Sequence, residues 1–441
     1  MERILEQPHS VWHAEAIGWH SPLAESEITT VCIIGAGISG LALAFELVRR
    51  NVAVIILDAR TIAHGQTSRS TAHLVTALDE RYFKLAQEHG PDAARVAARA
   101  HKRAIEWLES VAREEGIDAA FRRVFGALVV PDSQRSERNR LLQQELEAAQ
   151  AAGIACDLVP APAQTVIGHG ESHLRFPHQA VCDPVAYLDG LAEAVVRRGG
   201  RVCTQTAVVD VTATNLVRTA SGHTVQADHV IYACHQLPSE VQRLVRPLTV
   251  STSYAVAYRL ASDDSAGSVE HEPGAAGVHE PETLLWDGYW EDESAPYHYL
   301  RTARSADGEP MLVIGGDDRE SHSPGDAPAH FDKVDGWTRM HVPHAGATLA
   351  RWWGRIYEPE GEFALIGPIP ERNRQYVIAG DSGNGFTYAA IAAEHLADLI
   401  TGLDADIEIA ALHRPAPTAG PPGVPTHSSD APFQGQALLL P

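Results

Sequence analysis

Four apolar residues, Val31–Ile34, lead into a glycine turn, and an apolar stripe follows at Leu41, Ala44, Phe45 and Val48. A second apolar run, Val52–Leu57, ends at Asp58. Short apolar runs bounded by turn residues predict buried parallel strands, and the spacing between them predicts a crossover helix. Residues 91–115 carry Ala94, Ala97, Ile105 and Leu108 on one side of a long amphipathic helix. Ala127–Val130 reads as a short strand and 136–152 as a helix charged on one face. A helix reading also resumes at Leu74. Val185–Arg197 reads as a helix stopped by Gly199–Gly200, followed by a strand pair from Val202 and an apolar strand, Val230–Ala233. From Leu237 to about Ala350 the pattern turns to alternation, in 253–260, 284–290, 297–302 and 311–315. Period two over several strands implies an antiparallel sheet with one buried face. Phe331–Met340 reads as a short helix. Tyr376–Ala379 is a last strand, leading to a second glycine turn, Gly380–Gly385, and a helix, Phe386–Ile400.

These elements predict an α/β chain, α+β overall. A Rossmann-like nucleotide domain is expected to be discontinuous, built from 29–115, 183–236 and 351–410. An antiparallel-sheet substrate domain takes 116–182 and 237–350. Residues 1–28 form an N-terminal arm. The acidic 261–283 loop is expected to be mobile and the Pro/Gly/Ser-rich tail, 415–441, disordered.

Composition narrows the function. The chain has 441 residues, enough for two domains or more, and 44% hydrophobic residues. Its net charge of 35 − 57 = −22 argues against nucleic acid and anionic membranes as partners. Cys32, Cys156, Cys182, Cys203 and Cys234 form no C-x-x-C, which predicts a reduced, cytoplasmic protein. No leader-like apolar segment opens the sequence, and no run reaches the roughly 18 residues of a membrane span.

Candidate chemistry starts at Gly35-Ala36-Gly37-Ile38-Ser39-Gly40, a G-x-G-x-x-G between strand and helix. Its glycines suit a tight turn, a close approach to pyrophosphate and helix–strand packing, and Asp58 suits a ribose diol. The run from Gly65 to Thr71, small and hydroxylated around Arg69, suits a second part of the dinucleotide. His341 and His344, with Pro343 between them, do not make a metal pair, and no metal is expected.

Together these motifs resemble the D-amino-acid-oxidase-like superfamily of FAD enzymes, which includes glycine oxidase and sarcosine oxidase. VCIIGAGISGLALA, GQTSRSTAHL, LRFPHQAVCDPVAYLDGLAEAV, WDGYW with YHYLRT, and GDSGNGFTYAAI carry the resemblance across Val31–Gly402. It is nearest to a bacterial subgroup that usually bears a C-terminal Rieske domain. The sequence holds no cysteine after Leu403, so no cluster is expected in it. The resemblance implies FAD, bound non-covalently because GRIYE has no cysteine. Gly35, Ala36, Gly37, Ile38, Ser39 and Gly40 would hold the pyrophosphate, and Asp58, Ala59 and Arg60 the adenosine side. Thr67, Ser68, Arg69, Ser70, Thr71 and Ala72 would line the ADP and flavin, with Val208 and Ala233 on the sheet side. Gly354, Gly380, Gly383, Asn384, Gly385, Phe386 and Thr387 would approach the flavin, where a helix N-terminus favours the charge of the reduced ring.

The implied activity is oxidation of a C–N bond of an amine or amino acid to an imine by hydride transfer to flavin N5. Oxygen or an electron-transfer partner would accept the electrons, and a homodimer stays open. Arg355 is the first candidate for gripping a substrate carboxylate and Arg301 the second. Val313 stands where relatives place an oxygen-activating lysine, and His73 or His235 could substitute. Tyr254, Trp286, Tyr289 and Tyr299 could wall an aromatic pocket or simply pack the sheet. Two other functions fit the same cofactor: a diverged flavoenzyme of a specialised pathway acting on an elaborate or carrier-bound substrate, and a non-catalytic FAD-binding protein.

Overall fold

The computed structural model describes residues 10–12, 20–129, 137–159, 173–260, 284–288, 298–305, 308–319, 326–342 and 345–416. The 261–283 loop, Tyr289, Trp290, Tyr297, His344, the side chain of Trp286 and the tail from 417 lie outside the described residues.

Strand Glu27–Ile34 lies inside an eight-stranded sheet, parallel to Val54–Leu57 on one side and to Thr224–Tyr232 on the other. Gln375–Ala379 extends the parallel array beyond Thr224–Tyr232, and Arg201–Cys203 extends it beyond Val54–Leu57. Parallel strands are covered on both faces, which is why their sequences run apolar without alternation. Helices Ile38–Arg49, Pro91–Glu115, Pro184–Arg197 and Gly385–Thr401 cover one face, with Leu41, Phe45, Leu108, Leu188 and Leu396 fully buried. Cys32, Leu57, Val217 and Val230 fill the other face with Leu237, Val241 and Val245. Each such side chain contributes about 1.5–3 kcal/mol on burial.

The nine-stranded second sheet runs Ala345–Pro359, Leu248–Leu260, Pro310–Arg319, His298–Arg304, Leu284–Gly288, Arg122–Val129, His173–Val181 and His73–Leu74, with Asp157–Val159 attached to His173–Val181. It is antiparallel apart from the parallel pair of Leu284–Gly288 with Arg122–Val129. Period two divides its residues. Ala255, Ala257, Val313 and Trp352 join the core shared with the first layer. Tyr254, Val256, Tyr258, Leu312, Ile314 and Trp353 pack instead with Phe331 and Val334 of helix Ala327–His341.

Two readings change. His73–Leu74 is a strand pairing with Val181 and Ala180, and the helix begins only at Tyr82. Leu74, Ala77 and Leu78 have helical spacing, but Leu74 is fully buried in the sheet, and Arg81, at φ 60, breaks the backbone just before Tyr82. Strand Ala345–Pro359 also runs through position 351, so the antiparallel sheet reaches Pro359.

Candidate active site

A cavity of about 560 Å³ lies between the two sheets, and both glycine turns open onto it. Gly35 has φ 113, and a Cβ there would stand 2.6 Å from the Ala233 carbonyl oxygen. At Gly40 a Cβ would fall 2.0 Å from the Gly35 oxygen, so helix and strand meet only without a side chain. Gly37 is different. The nearest atom to a Cβ there is Thr67 Oγ1 at 3.4 Å, which leaves its cavity side open for a ligand. The Ala36 N–H donates to Asp58 Oδ2 and the Arg60 N–H to Oδ1, both at 2.8 Å. Burial raises the Asp58 pKa, and the two backbone donors oppose the rise.

The 65–72 loop is locked against the second sheet. The Ile38 N–H donates to Thr67 Oγ1 at 3.2 Å, and Trp352 Nε1 donates to the Arg69 carbonyl at 2.9 Å. The Arg355 N–H donates to Gln66 Oε1 at 2.9 Å. Trp12 Nε1 donates to the Ser70 carbonyl at 2.8 Å. Across the cavity the second turn, Asp381–Asn384, starts helix Gly385–Thr401, which has no acidic residue in its first turn. Helix Ile38–Arg49 also has none, so its N-terminus keeps its partial positive charge for an anionic ligand, whereas the Asp381 carboxylate lies against the start of helix Gly385–Thr401 and accepts from the Gly383 N–H.

The wall from the second sheet carries Ser253, Tyr299, Asp318 and Glu358, with His73 beside them. The Tyr299 ring lies where a Cβ on Gly315 would come within 2.2 Å of Cζ. Its hydroxyl and that of Ser253 are 3.1 Å apart. The His73 ring meets Tyr299 edge-on at 5.5 Å. His73 Nε2 lies 3.4 Å from the Leu300 carbonyl, which only accepts, so Nε2 carries the proton and Nδ1 accepts from the Thr71 hydroxyl at 2.9 Å. Burial, then the Arg301 charge, pushes the His73 pKa down to about 3. His73 is therefore a neutral support for Tyr299 with both nitrogens engaged.

The predicted cofactor residues converge on this cavity. Gly35, Ala36, Gly37, Ile38, Ser39, Asp58, Thr67, Arg69, Ser70, Thr71, Ala233, Gly354, Gly380, Gly383, Asn384, Gly385 and Phe386 line it. Gly40, Ala59, Arg60, Ser68, Ala72, Val208 and Thr387 are not on its wall. Val208 stands instead at the start of an antiparallel hairpin strand. Arg355 lines the rim, exposed, and its charge acts on His235 and Tyr357.

Two substrate candidates point elsewhere. Tyr254 is fully buried on the opposite face of the sheet, stacked on His330 at 4.4 Å, because alternation turns it away from Ser253 and Ala255. Arg301 is 2% exposed and spent on the fold: Nη1 and Nη2 donate to the Ala72 and Cys182 carbonyls, each at 2.9 Å, under the Trp12 ring. The sequence reading missed Ser253, Asp318 and Glu358. Ser253 looks like an ordinary polar residue in sequence, and the two acids sit at strand ends that alternation alone assigns poorly.

The wall fits an extended dinucleotide: a glycine open toward the cavity, the N-terminus of helix Ile38–Arg49 with no acid in its first turn, and a buried Ser382 hydroxyl without a partner. No helix among the described residues is long and apolar enough to cross a membrane.

Comparison with known proteins agrees. The chain is 27% identical over 404 residues to YhfW of Bacillus subtilis, a protein named for a Rieske 2Fe-2S centre, covering 90% of this chain and 73% of that protein. It is 25% identical over 416 residues to the gamma-glutamylputrescine oxidoreductase of Escherichia coli, covering 89% of each. The crystal structure of glycine oxidase from Geobacillus kaustophilus superposes with a TM-score of 0.67 at 17% identity, over 89% of this chain and 100% of that one. Residues 30–399 match the DAO family model, described as FAD dependent oxidoreductase. The dinucleotide is therefore FAD, and the chain belongs to the DAO family of FAD-dependent oxidoreductases.

Proposed function

We propose that the protein oxidises a C–N bond of a small amine or amino acid to an imine. The observation that carries this reading is one continuous cavity joining the Gly35 turn to a wall of Ser253, Tyr299 and Asp318. Gly35–Ser39, Asp58, Thr67, Arg69–Thr71 and Gly380–Phe386 would hold FAD, which supplies a two-electron acceptor when bound. The chain's own residues have simpler tasks. The sheet covers the reacting region and excludes water. Ser253 and Tyr299 offer hydroxyls to orient a substrate, and His73 holds Tyr299 in place. The substrate carbon gives up a hydride while the nitrogen lone pair forms the C=N bond, so the nitrogen must first be neutral. The gamma-glutamylputrescine oxidoreductase and glycine oxidase likenesses support an amine or amino acid as substrate. Cys234 is the cysteine on the described wall and stands beside Gly35, at the pyrophosphate end, which favours FAD held without a covalent bond.

The test is anaerobic mixing of the purified flavoprotein with panels of amines and amino acids. Bleaching of the flavin band, and its return with air or an added electron acceptor, is the expected result. A flavin that dithionite reduces but no panel member bleaches would leave the protein a binder of FAD and end the oxidation reading. Acid precipitation should release the flavin into the supernatant.

A further inference from the structure

One group on the cavity wall is aimed there by a break in the regular sheet. Strands Leu248–Leu260 and Pro310–Arg319 pair in register from Arg259 with Met311 to Tyr254 with Gly316, and then the register shifts, so that Thr252 pairs with Arg319. Asp317 and Asp318 both stand opposite Ser253. Gly316 has φ 148 and Asp317 φ 54, the signature of a β-bulge. Gly315 faces the cavity side, under Tyr299, so strict alternation would have sent Asp318 toward helix Ala327–His341. With the bulge, Asp317 takes that direction. It is fully buried there with His330, Arg319 and Lys333 around its carboxylate. Asp318 turns into the cavity, and its Oδ1 is buried without a hydrogen-bond partner. Bulges that re-aim one side chain gather beside active sites.

The surroundings of Asp318 are acidic and hydroxylic. Ser253 hydrogen-bonds its carboxylate. Glu358 lines the same wall and accepts from Ser251 Oγ at 3.4 Å. The cations on the wall serve other places. Arg69 Nη1 donates to the His64 and Gly65 carbonyls, and Arg81 Nη1 to the Leu78 carbonyl, with its charge acting on Glu145. Arg355 shares the lining at the cavity's rim, where its guanidinium hydrogen-bonds Tyr357 and its charge acts on His235. A substrate carboxylate at this wall would face two acids, whereas an ammonium would complete them.

We propose that Asp318 receives the substrate's amine as a cation and takes one of its protons, and that Asp318 and Glu358 together select amines with no carboxylate beside the nitrogen. This rests on the amine-oxidation reading above and names its substrate class. In the step, one N–H bond of the ammonium breaks and an O–H bond forms at Asp318 Oδ1. The electron pair stays on nitrogen, so no oxidant is consumed and the amine is left neutral. Burial pushes the Asp318 pKa up to about 7; Glu358 and Asp317 push the same way, while the Ser253 bond and Arg319 oppose it. Tyr299 and Tyr254, on the neighbouring strands, are the other titratable groups whose ionisation Asp318 opposes. A raised carboxyl pKa means a neutral, non-attracting acid below about 7, so ammonium binding strengthens as pH rises through that value.

The experiment titrates the flavin-loaded protein with 1,4-diaminobutane and, separately, with butyrate, following the flavin spectrum on both sides of neutral pH. The diamine should perturb the spectrum with an affinity that climbs as pH rises, and butyrate should bind far more weakly. Asp318→Asn should weaken the diamine by about tenfold or more and flatten its pH dependence, and Asp318→Glu should restore part of both. Ser253→Ala, a milder change, should retain flavin and move the pH midpoint upward by removing the opposing hydrogen bond. Diamine binding unaltered in Asp318→Asn, an unmoved midpoint in Ser253→Ala, tighter binding of butyrate, or a spectrum moved by neither probe would each overturn the assignment. Diamine bound through Asp318, with no member of the amine and amino-acid panels bleaching the flavin, would leave this assignment standing and defeat the oxidation reading instead. Bleaching by α-amino acids without diamine binding would do the reverse.

Discussion

Between Val31 and Asp58 the cavity is made by one uninterrupted piece of chain, whereas its other end is assembled from Ser253, Tyr299, Asp318 and Glu358, each on a different strand. The first region depends on absent atoms. Gly35 and Gly40 have their places because any side chain would meet backbone within 2.6 Å and 2.0 Å. The second depends on present atoms that a local irregularity directs inward. A region of the first kind tolerates almost no substitution yet is written in a short motif. A region of the second kind can exchange its side chains while the sheet persists, which is how one scaffold admits different substrates.

That contrast can be broken at several points. Gly40→Val should be the most damaging, because the new side chain meets the Gly35 carbonyl and cannot relax. A cost on the order of 3 kcal/mol, with no flavin retained on purification, is expected from the denaturation midpoint and the visible spectrum. Arg301→Met should follow. It leaves the Ala72 and Cys182 carbonyls without their donors, at roughly 1–3 kcal/mol each. Urea denaturation reads that loss, and an unchanged midpoint would contradict the structural role. Gly37→Ala separates folding from binding. Its methyl meets only Thr67 Oγ1 at an ordinary 3.4 Å, so stability should hold. Flavin affinity should still drop about tenfold, since the methyl fills the approach to the pyrophosphate. The smallest effect belongs to Tyr254→Phe. Facing helix Ala327–His341, it should cost no more than about 1 kcal/mol and leave the flavin spectrum unaltered, unlike Tyr299→Phe. A flavin shift in Tyr254→Phe would mean that the two faces of the sheet are less independent than their packing indicates.

The same contrast governs what could be read from sequence. The Gly35 turn, Asp58 and the Gly380–Gly385 turn were legible because each is a local pattern whose neighbours in sequence are its neighbours in space. Alternation in 253–260 and 311–315 announced the sheet, but not which parity faced the cavity. Tyr254 and Arg301 were candidates for that reason. One lies on the far face, and the other turns its guanidinium to backbone carbonyls more than 100 residues away in sequence. Asp318 was hidden more deeply, since a bulge inverts the very rule by which parity is read. Helical spacing around Leu74 misled for a related cause, as a two-residue strand is too short to show a period.

The first sheet has a consequence for biosynthesis. Its middle strand, Glu27–Ile34, pairs with Thr224–Tyr232, which in turn pairs with Gln375–Ala379. A ribosome therefore releases the glycine motif long before strands Thr224–Tyr232 and Gln375–Ala379, and the helix starting at Gly385 emerges after every strand of the sheet. Until then the early strands expose unpaired edges to the crowded cell, a state that favours aggregation over slow, long-range pairing. Flavin added during synthesis would find only half a cradle. Supplying riboflavin, lowering temperature or slowing translation near the C-terminal end are thus the handles that should raise the yield of loaded protein.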